Sequence, residues 1–192
     1  HVVVSGAQAA VEQLLAAFRK RAIRCERLNT SHAFHSSLIE PALEPLEALA
    51  ATMAFHPARR TLISNLTGRP LAAGQVLAAA YWRRHAREPV QFARSLQSLA
   101  DQGVDMLLEI GPRPVLLGMA ATAWRQDVSP PEMAGTWRRG SNDDAQLAET
   151  LGQLYVRGVT ADFAAVHAQR PGRKLSLPTY PFQRQRYWME QS

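Results

Sequence analysis

Thr30-Ser31-His32-Ala33-Phe34-His35-Ser36-Ser37 is the stretch on which the fold reading turns, because two histidines and several hydroxyls sit where a short strand gives way to a helix. Before it, His1-Val2-Val3-Val4 reads as a strand closed by Ser5-Gly6. Ala7 to Ala22 then places Val11, Leu14, Leu15 and Phe18 at the 3, 4, 7 spacing of an amphipathic helix, and Cys25 to Leu28 reads as a second strand. A strand, a helix and a strand joined by a connection long enough to cross over make a small mixed α/β unit. After it, Ser36 to Met53 carries a helical pattern through Leu38, Ile39, Leu43, Leu46 and Leu49. Pro41 suits the first turn, whereas Pro45 is expected to kink or displace the helix.

Further outward, Thr61-Leu62-Ile63-Ser64 is a predicted strand ended by a turn at Asn65-Leu66-Thr67-Gly68. Gln75 to Arg84 and Val90 to Gln102 read as helices, Met106 to Ile110 as a buried strand entering Gly111-Pro112, and Pro114 to Trp124 as a helix. Composition shifts near Gln126, and Ser129-Pro130-Pro131 marks a boundary around residues 125 to 133. Beyond it, Gly140 to Asp144 forms a turn and cap before a helix over Ala145 to Val156. The chain closes in a proline-fixed extended segment after Pro171-Gly172-Arg173 that is expected to lie along a surface.

Composition narrows the function classes. The 192 residues are 46% hydrophobic and 20% charged, ordinary for a globular protein able to bury a core. A single cysteine, Cys25, excludes an internal disulfide framework and thiolate metal clusters. Neither a long apolar span nor the layout of a secretory signal occurs, so no membrane partner is expected and the setting is read as cytoplasmic. The net charge of +6 comes from arginines dispersed from Arg19 to Arg186, which argues against a nucleic-acid face. It suits an acidic protein partner or the phosphates of a nucleotide-bearing thioester equally well.

Histidine is the side chain best matched to proton transfer near neutral pH, so His32 or His35 could serve as a general base. A metal reading would need His56, His85 or an acidic residue to converge on the His-x-x-His pair, and nothing in the spacing demands it; no metal is assigned. The string Ser31-His32-Ala33-Phe34-His35-Ser36, followed by Leu38-Ile39-Glu40-Pro41, resembles the histidine motif of malonyl-type acyltransferases in polyketide and fatty acid synthases. Ile63 to Gly68, Tyr81-Trp82 with Arg87 to Phe92, and Glu109 to Pro112 match further motifs of that family in order, and Leu177 to Trp188 resembles the linker that follows it in modular polyketide synthases.

The resemblance implies an α/β fold: residues 1–29 as the end of a ferredoxin-like small subdomain, 30–125 as the C-terminal part of an α/β-hydrolase-like acyltransferase core, and 126–192 as an extended post-acyltransferase linker. In that family a serine in a Gly-His-Ser-x-Gly elbow attacks an acyl-CoA thioester, a histidine takes its proton, and the acyl group passes to the phosphopantetheine thiol of an acyl carrier protein. His35 matches the catalytic histidine. His32, Ala33 and Phe34 match the positions associated with extender choice, in the form linked to malonyl rather than methylmalonyl units. The backbone carbonyl of Gln91 matches the group that orients the histidine, and Asn65 a polar position near the pocket. No cofactor is bound directly; malonyl-CoA and phosphopantetheinyl acyl carrier protein are the implied substrates.

No Gly-x-Ser-x-Gly occurs in the chain, so the resemblance places the nucleophile upstream, and the piece alone is expected to be inactive and to associate with the missing N-terminal half of its domain. The aromatic and arginine-rich tail, with Tyr155, Tyr180, Phe182, Tyr187 and Trp188, has the composition of a contact surface, implied to reach a preceding ketosynthase. An inactive remnant serving as an interdomain scaffold is the alternative, which the intact histidine string disfavours.

Overall fold

In the computed structural model residues 2–28, 30–168, 172–173 and 175–189 are described, and the chain divides after Thr150 into two units. Within the first unit, β1 (Met106–Glu109), α5 (Val115–Ala123) and β2 (Glu132–Gly135) form a β-α-β unit. Its strands are parallel, in a register running from Met106 opposite Glu132 to Glu109 opposite Gly135. A parallel pair needs a crossover, and α5 supplies it. Helix α4 (Phe92–Asp101) packs on α5, and Leu96, Ala100, Ala120 and Trp124 form the buried cluster, with Leu107 of β1 and Met133 of β2 against it. The Trp124 indole donates to the Ser129 carbonyl at 3.2 Å, which satisfies its polar end within that core.

Glu109, the last residue of β1, fixes how α5 begins. Its carboxylate accepts from the amides of Val115 and Leu116 at 3.1 Å and of Leu117 at 2.8 Å. The opening amides of a helix have no intrahelical acceptor, and the Pro114 N-cap position offers no side-chain oxygen, so the strand's carboxylate does the capping. The Glu109 backbone carbonyl meanwhile accepts from the Thr136 amide at 3.0 Å, and the Gly111 amide donates to Thr136 Oγ1 at 3.2 Å. The Gly111-Pro112 turn is thereby held between strand and helix.

A second group comprises a 3-10 turn at Ser37–Ile39, α2 (Glu40–Ala51) and α3 (Ala79–Arg87). Leu43 and Ala50 of α2 and Ala86 of α3 are its buried residues. Arg87 pairs with Glu40 at 2.9 Å and Arg83 with Glu47 at 2.8 Å. The order of these partners reverses between the helices, so α2 and α3 run antiparallel. Helix α2 passes through Pro45 without a break, contrary to the expected interruption. One ladder bond is lost there, and the packing on α3 with the two ion pairs holds the turns on either side. Helix α3 starts at Ala79 rather than Gln75, because Gly74 adopts φ +76° in a turn and Ala78 is extended.

Between α2 and α3 the expected strand at Thr61–Ser64 is a single antiparallel bridge, Ile63 to Pro70. Pro70 has no amide to continue a ladder. The turn that joins them is as expected: Gly68 has φ +67°, and a Cβ there would lie 2.3 Å from Arg94 Cβ, so only glycine fits. Helix α1 (Gln8–Lys20) forms as the periodicity predicts and packs on no other helix or strand among the described residues. Val2–Val4 and Cys25–Leu28 are irregular, not strands, since neither finds a partner strand among the described residues; His1 lies outside them.

Helix α6 (Asp143–Val156) begins in the first unit, where Thr150 Oγ1 donates to the Gly135 carbonyl at 2.9 Å. The second unit holds its last turns and α7 (Phe163–His167), whose Asp162 side chain accepts from the Ala165 amide at 2.9 Å. Tyr155 and Phe163 meet edge to face at 5.2 Å. Residues 175–189 contain no helix or strand, in keeping with Pro178 and Pro181; Pro171 lies outside the described residues. Replacing Glu109 with Ala removes both carboxylate oxygens that accept from the three opening amides of α5, and urea unfolding is expected to show a loss of about 2 kcal/mol.

Candidate active site

The chain reverses into α2 through residues 31–36, and three bonds hold that reversal. Ser36 Oγ donates to the Ala33 carbonyl at 2.7 Å and accepts from the Leu38 amide at 3.2 Å. The His35 amide donates to the carbonyl of Ala86 at 3.0 Å. His35 itself sits at φ +62°, in the left-handed region that non-glycine residues rarely occupy. Such a conformation costs on the order of 1–2 kcal/mol and persists where surrounding bonds determine it.

The imidazole is held from the same side. His35 Nδ1 lies 2.8 Å from the backbone carbonyl of Glu88. A carbonyl only accepts, so Nδ1 carries the proton and the neutral ring keeps its lone pair on Nε2. The orienting group is therefore Glu88 and not Gln91. Glu88 follows the last turn of α3 with ψ 155°, as the residue before Pro89 must, and its carbonyl has left the helical ladder. Gln91 is the N-cap of α4, where its carbonyl is already occupied by the Ser95 amide at 2.9 Å and Ser95 Oγ at 3.1 Å. Gln91 still steadies the site from a distance, since its amide donates to the Asn65 carbonyl at 2.8 Å.

Phe34 and His35 border a concavity of about 440 Å³ whose other walls are Leu46, Leu49 and Ala50 of α2, Trp82, His85 and Ala86 of α3, and Met53 and Phe55 between the two helices. Phe34 is half exposed at 51% and lines this space. His32 is exposed and does not line the concavity; its Nδ1 is 2.9 Å from Ser31 Oγ, and its ring meets Phe34 at 6.2 Å. Ala33 contributes its carbonyl to the Ser36 bond. Among the described residues no three His, Cys, Asp or Glu side chains come close enough to share a metal ion.

The structure adds His85, which sequence reasoning weighed only as a metal ligand. Its ring is 6.1 Å from that of His35 at 87°, and it stacks on Tyr81 at 5.9 Å and 19°. Asn65 Nδ2 lies 3.3 Å from His85 Nε2. The amide donates there, so His85 Nε2 accepts and its proton is on Nδ1. Burial, followed by the proximity of His35, lowers the pKa of His85 below its ordinary value of about 6.5. The signal for His85 was the i, i+4 spacing from Tyr81, which places both rings on one face of a helix beside the motif.

Two measurements follow from this geometry. Histidine 15N NMR of the folded protein is expected to show that the neutral form of His35 carries its proton on Nδ1. Because folding lowers the proton affinity of His85, the unfolded chain binds more protons below pH about 6.5. Stability is thus fully present above that value and declines as pH falls through the folded-state titration of His85. Exchange for phenylalanine is expected to flatten this part of the pH–stability curve, and an unchanged slope in chemical denaturation would remove His85 as its source.

The model of the acyl transferase domain family matches residues 1–161. Polyketide synthase GfsA of Streptomyces halstedii is 37% identical over 190 residues, covering 99% of this chain and 2% of that protein. The phenolphthiocerol synthesis polyketide synthase type I Pks15/1 of Mycobacterium bovis is 39% identical over 190 residues, covering 97% of this chain and 9% of that protein. Among solved structures, the acyltransferase domain from the second module of the salinomycin polyketide synthase superposes with a TM-score of 0.79 at 33% identity, over 92% of this chain and 41% of that one. The malonyl CoA-acyl carrier protein transacylase from Clostridium perfringens, 23% identical with a TM-score of 0.65 over 79% of this chain and 45% of that one, shares the fold. The chain thus spans a small fraction of its curated relatives and about two-fifths of the solved domain, and over that span it belongs to the acyl transferase domain family, as part of an acyltransferase domain of a modular polyketide synthase.

Proposed function

We propose that the chain supplies the base and the specificity loop of an acyltransferase that loads a malonyl unit from CoA onto an acyl carrier protein, as part of a cytoplasmic polyketide synthase. The observation that carries this reading is the bond between His35 Nδ1 and the Glu88 carbonyl, which leaves Nε2 as the basic nitrogen. In the first half-reaction a serine oxygen, supplied by the part of the domain preceding these residues, attacks the thioester carbonyl carbon while Nε2 takes the serine proton. The carbon–sulfur bond then breaks and the imidazolium returns the proton to the departing CoA thiol. In the second half-reaction the phosphopantetheine thiol gives its proton to Nε2 and attacks the acyl-serine ester. The carbon–oxygen bond breaks and serine recovers the proton. The α3 C-terminus, with its negative end toward the ring, favours the imidazolium that forms in both steps.

Phe34 supports the malonyl assignment. It borders the same concavity as His35, so a branch on an acyl α-carbon bound there would compete with its ring for space, and a misfitted methyl is worth about 1–3 kcal/mol, or about 10–200-fold. His32 and Ala33 shape the same loop, and Asn65 approaches the site through His85. The apolar side chains exposed at the β1–α5 junction, Ile110 at 75% and Val115 at 59%, support association with the remaining part of the domain. Tyr187 and Trp188, exposed in the C-terminal segment, suit a contact with the preceding ketosynthase.

The test is acyl transfer by the complete domain to a cognate carrier protein with malonyl-CoA and methylmalonyl-CoA in competition. Malonyl loading is expected to dominate, to fall by at least about a hundredfold in His35→Ala, and to lose its preference in Phe34→Ala. Loading that survives the His35 substitution would remove His35 from the mechanism, whereas no loading by the complete domain would leave the scaffold reading in its place.

A further inference from the structure

His85 has no part in the proton path just described, yet it is tied into the site from three directions. Its ring stacks on Tyr81 at 5.9 Å, its Nε2 accepts from Asn65 at 3.3 Å, and it stands edge to face with His35 at 6.1 Å and 87°. Each support is itself anchored. Tyr81 Oη is 3.1 Å from Ser64 Oγ, and Ser64 is buried; the Asn65 carbonyl accepts from the Gln91 amide at 2.8 Å. The turn carrying Ser64 and Asn65 is closed by the Gly68 amide, which donates to the Ser64 carbonyl at 2.7 Å.

The Cβ–Cγ bond and the single hydrogen bond from Nδ1 anchor one edge of the His35 imidazole and leave freedom in the tilt of its plane. A flat neighbour packed at right angles removes this freedom, because only one ring plane satisfies both contacts. We propose that His85, held by Asn65 and Tyr81, is a positioning residue for His35: together with the Glu88 carbonyl it leaves the base one orientation, with Nε2 turned toward the reacting groups. The brace works as a neutral ring. A proton on Nε2 of His85 would face the Asn65 amide donor and set two imidazolium rings against each other in the second half of each proton transfer. Burial and the neighbouring His35 both oppose that protonation.

The proposal rests on the reading of His35 as the base, and the experiment separates the two. Malonyl transfer to a cognate carrier protein is measured in the complete acyltransferase domain for His85→Ala, His85→Gln, His85→Phe and His35→Ala, each variant first shown to unfold cooperatively. His85→Ala is expected to lower kcat by about tenfold to a hundredfold with KM for malonyl-CoA nearly unchanged, since a misplaced base slows the chemistry without weakening binding. His85→Gln keeps a polar partner for Asn65, serves where the alanine variant loses its fold, and is expected to lose kcat likewise. His85→Phe restores the flat brace and is expected to recover most of the rate. A kcat unchanged in both the alanine and glutamine variants, a loss confined to KM, or a phenylalanine variant no better than alanine would each overturn the positioning role. Activity retained in His35→Ala would overturn the reading of the base itself, whatever the His85 variants show.

Discussion

The carbonyl groups at the end of α3 organise the site. A helix terminus leaves its last carbonyls without intrahelical donors, and here two of them are answered by one residue from a distant loop: Ala86 by the His35 amide and Glu88 by the His35 imidazole. Main-chain and side-chain bonds from the same residue converge on the same helix end. That double attachment offsets the left-handed backbone of His35 and relates the loop before α2 to α3. The ion pairs Arg87–Glu40 and Arg83–Glu47 align α2 with α3 and so keep the helix end where the loop can reach it.

Much of the site was legible because its chemistry is local in sequence. Two histidines bracketed by small and hydroxyl residues at a strand-to-helix junction announce a shaped loop, and the ordered motifs around them identify its family. The position of the orienting carbonyl was misread because motif matching registers side chains, whereas the bond uses the main chain. The physical signal was nonetheless present. Glu88 precedes Pro89 and so must leave the helix with its carbonyl unclaimed, while Gln91 opens the next helix and must give its carbonyl to Ser95. Counting where each backbone acceptor goes would have chosen Glu88.

The β-α-β unit shows the opposite balance. Strand β1 is evident from its apolar run, but β2 is Glu132-Met133-Ala134-Gly135, four residues of low strand propensity directly after Pro130-Pro131. Nothing local predicts it; pairing with β1 creates it, and the buried Ala134 and partly buried Met133 add the side-chain contribution. Val2–Val4 illustrate the same rule in reverse, since these strand formers find no neighbouring strand among the described residues and stay irregular. Helix α2 likewise shows tertiary contacts outweighing a proline that sequence rules treat as a break.

The hydroxyl of Ser36 closes the reversal on the Ala33 carbonyl and starts the following turn through the Leu38 amide, while the backbone of residue 35 is fastened separately to α3. Residue 34 lies within the closed turn and residue 32 before it; their rings meet at 6.2 Å, with His32 also against Ser31 Oγ at 2.9 Å and Phe34 on the rim of the concavity. The bonds that hold the turn thus use the backbone of residues 33 and 35 and the Ser36 hydroxyl, and none of them uses the side chains of residues 32 and 34. The side chains at 32 and 34 can therefore be exchanged without removing any bond that shapes the turn, so the loop is free to vary in the surface it presents while keeping its form.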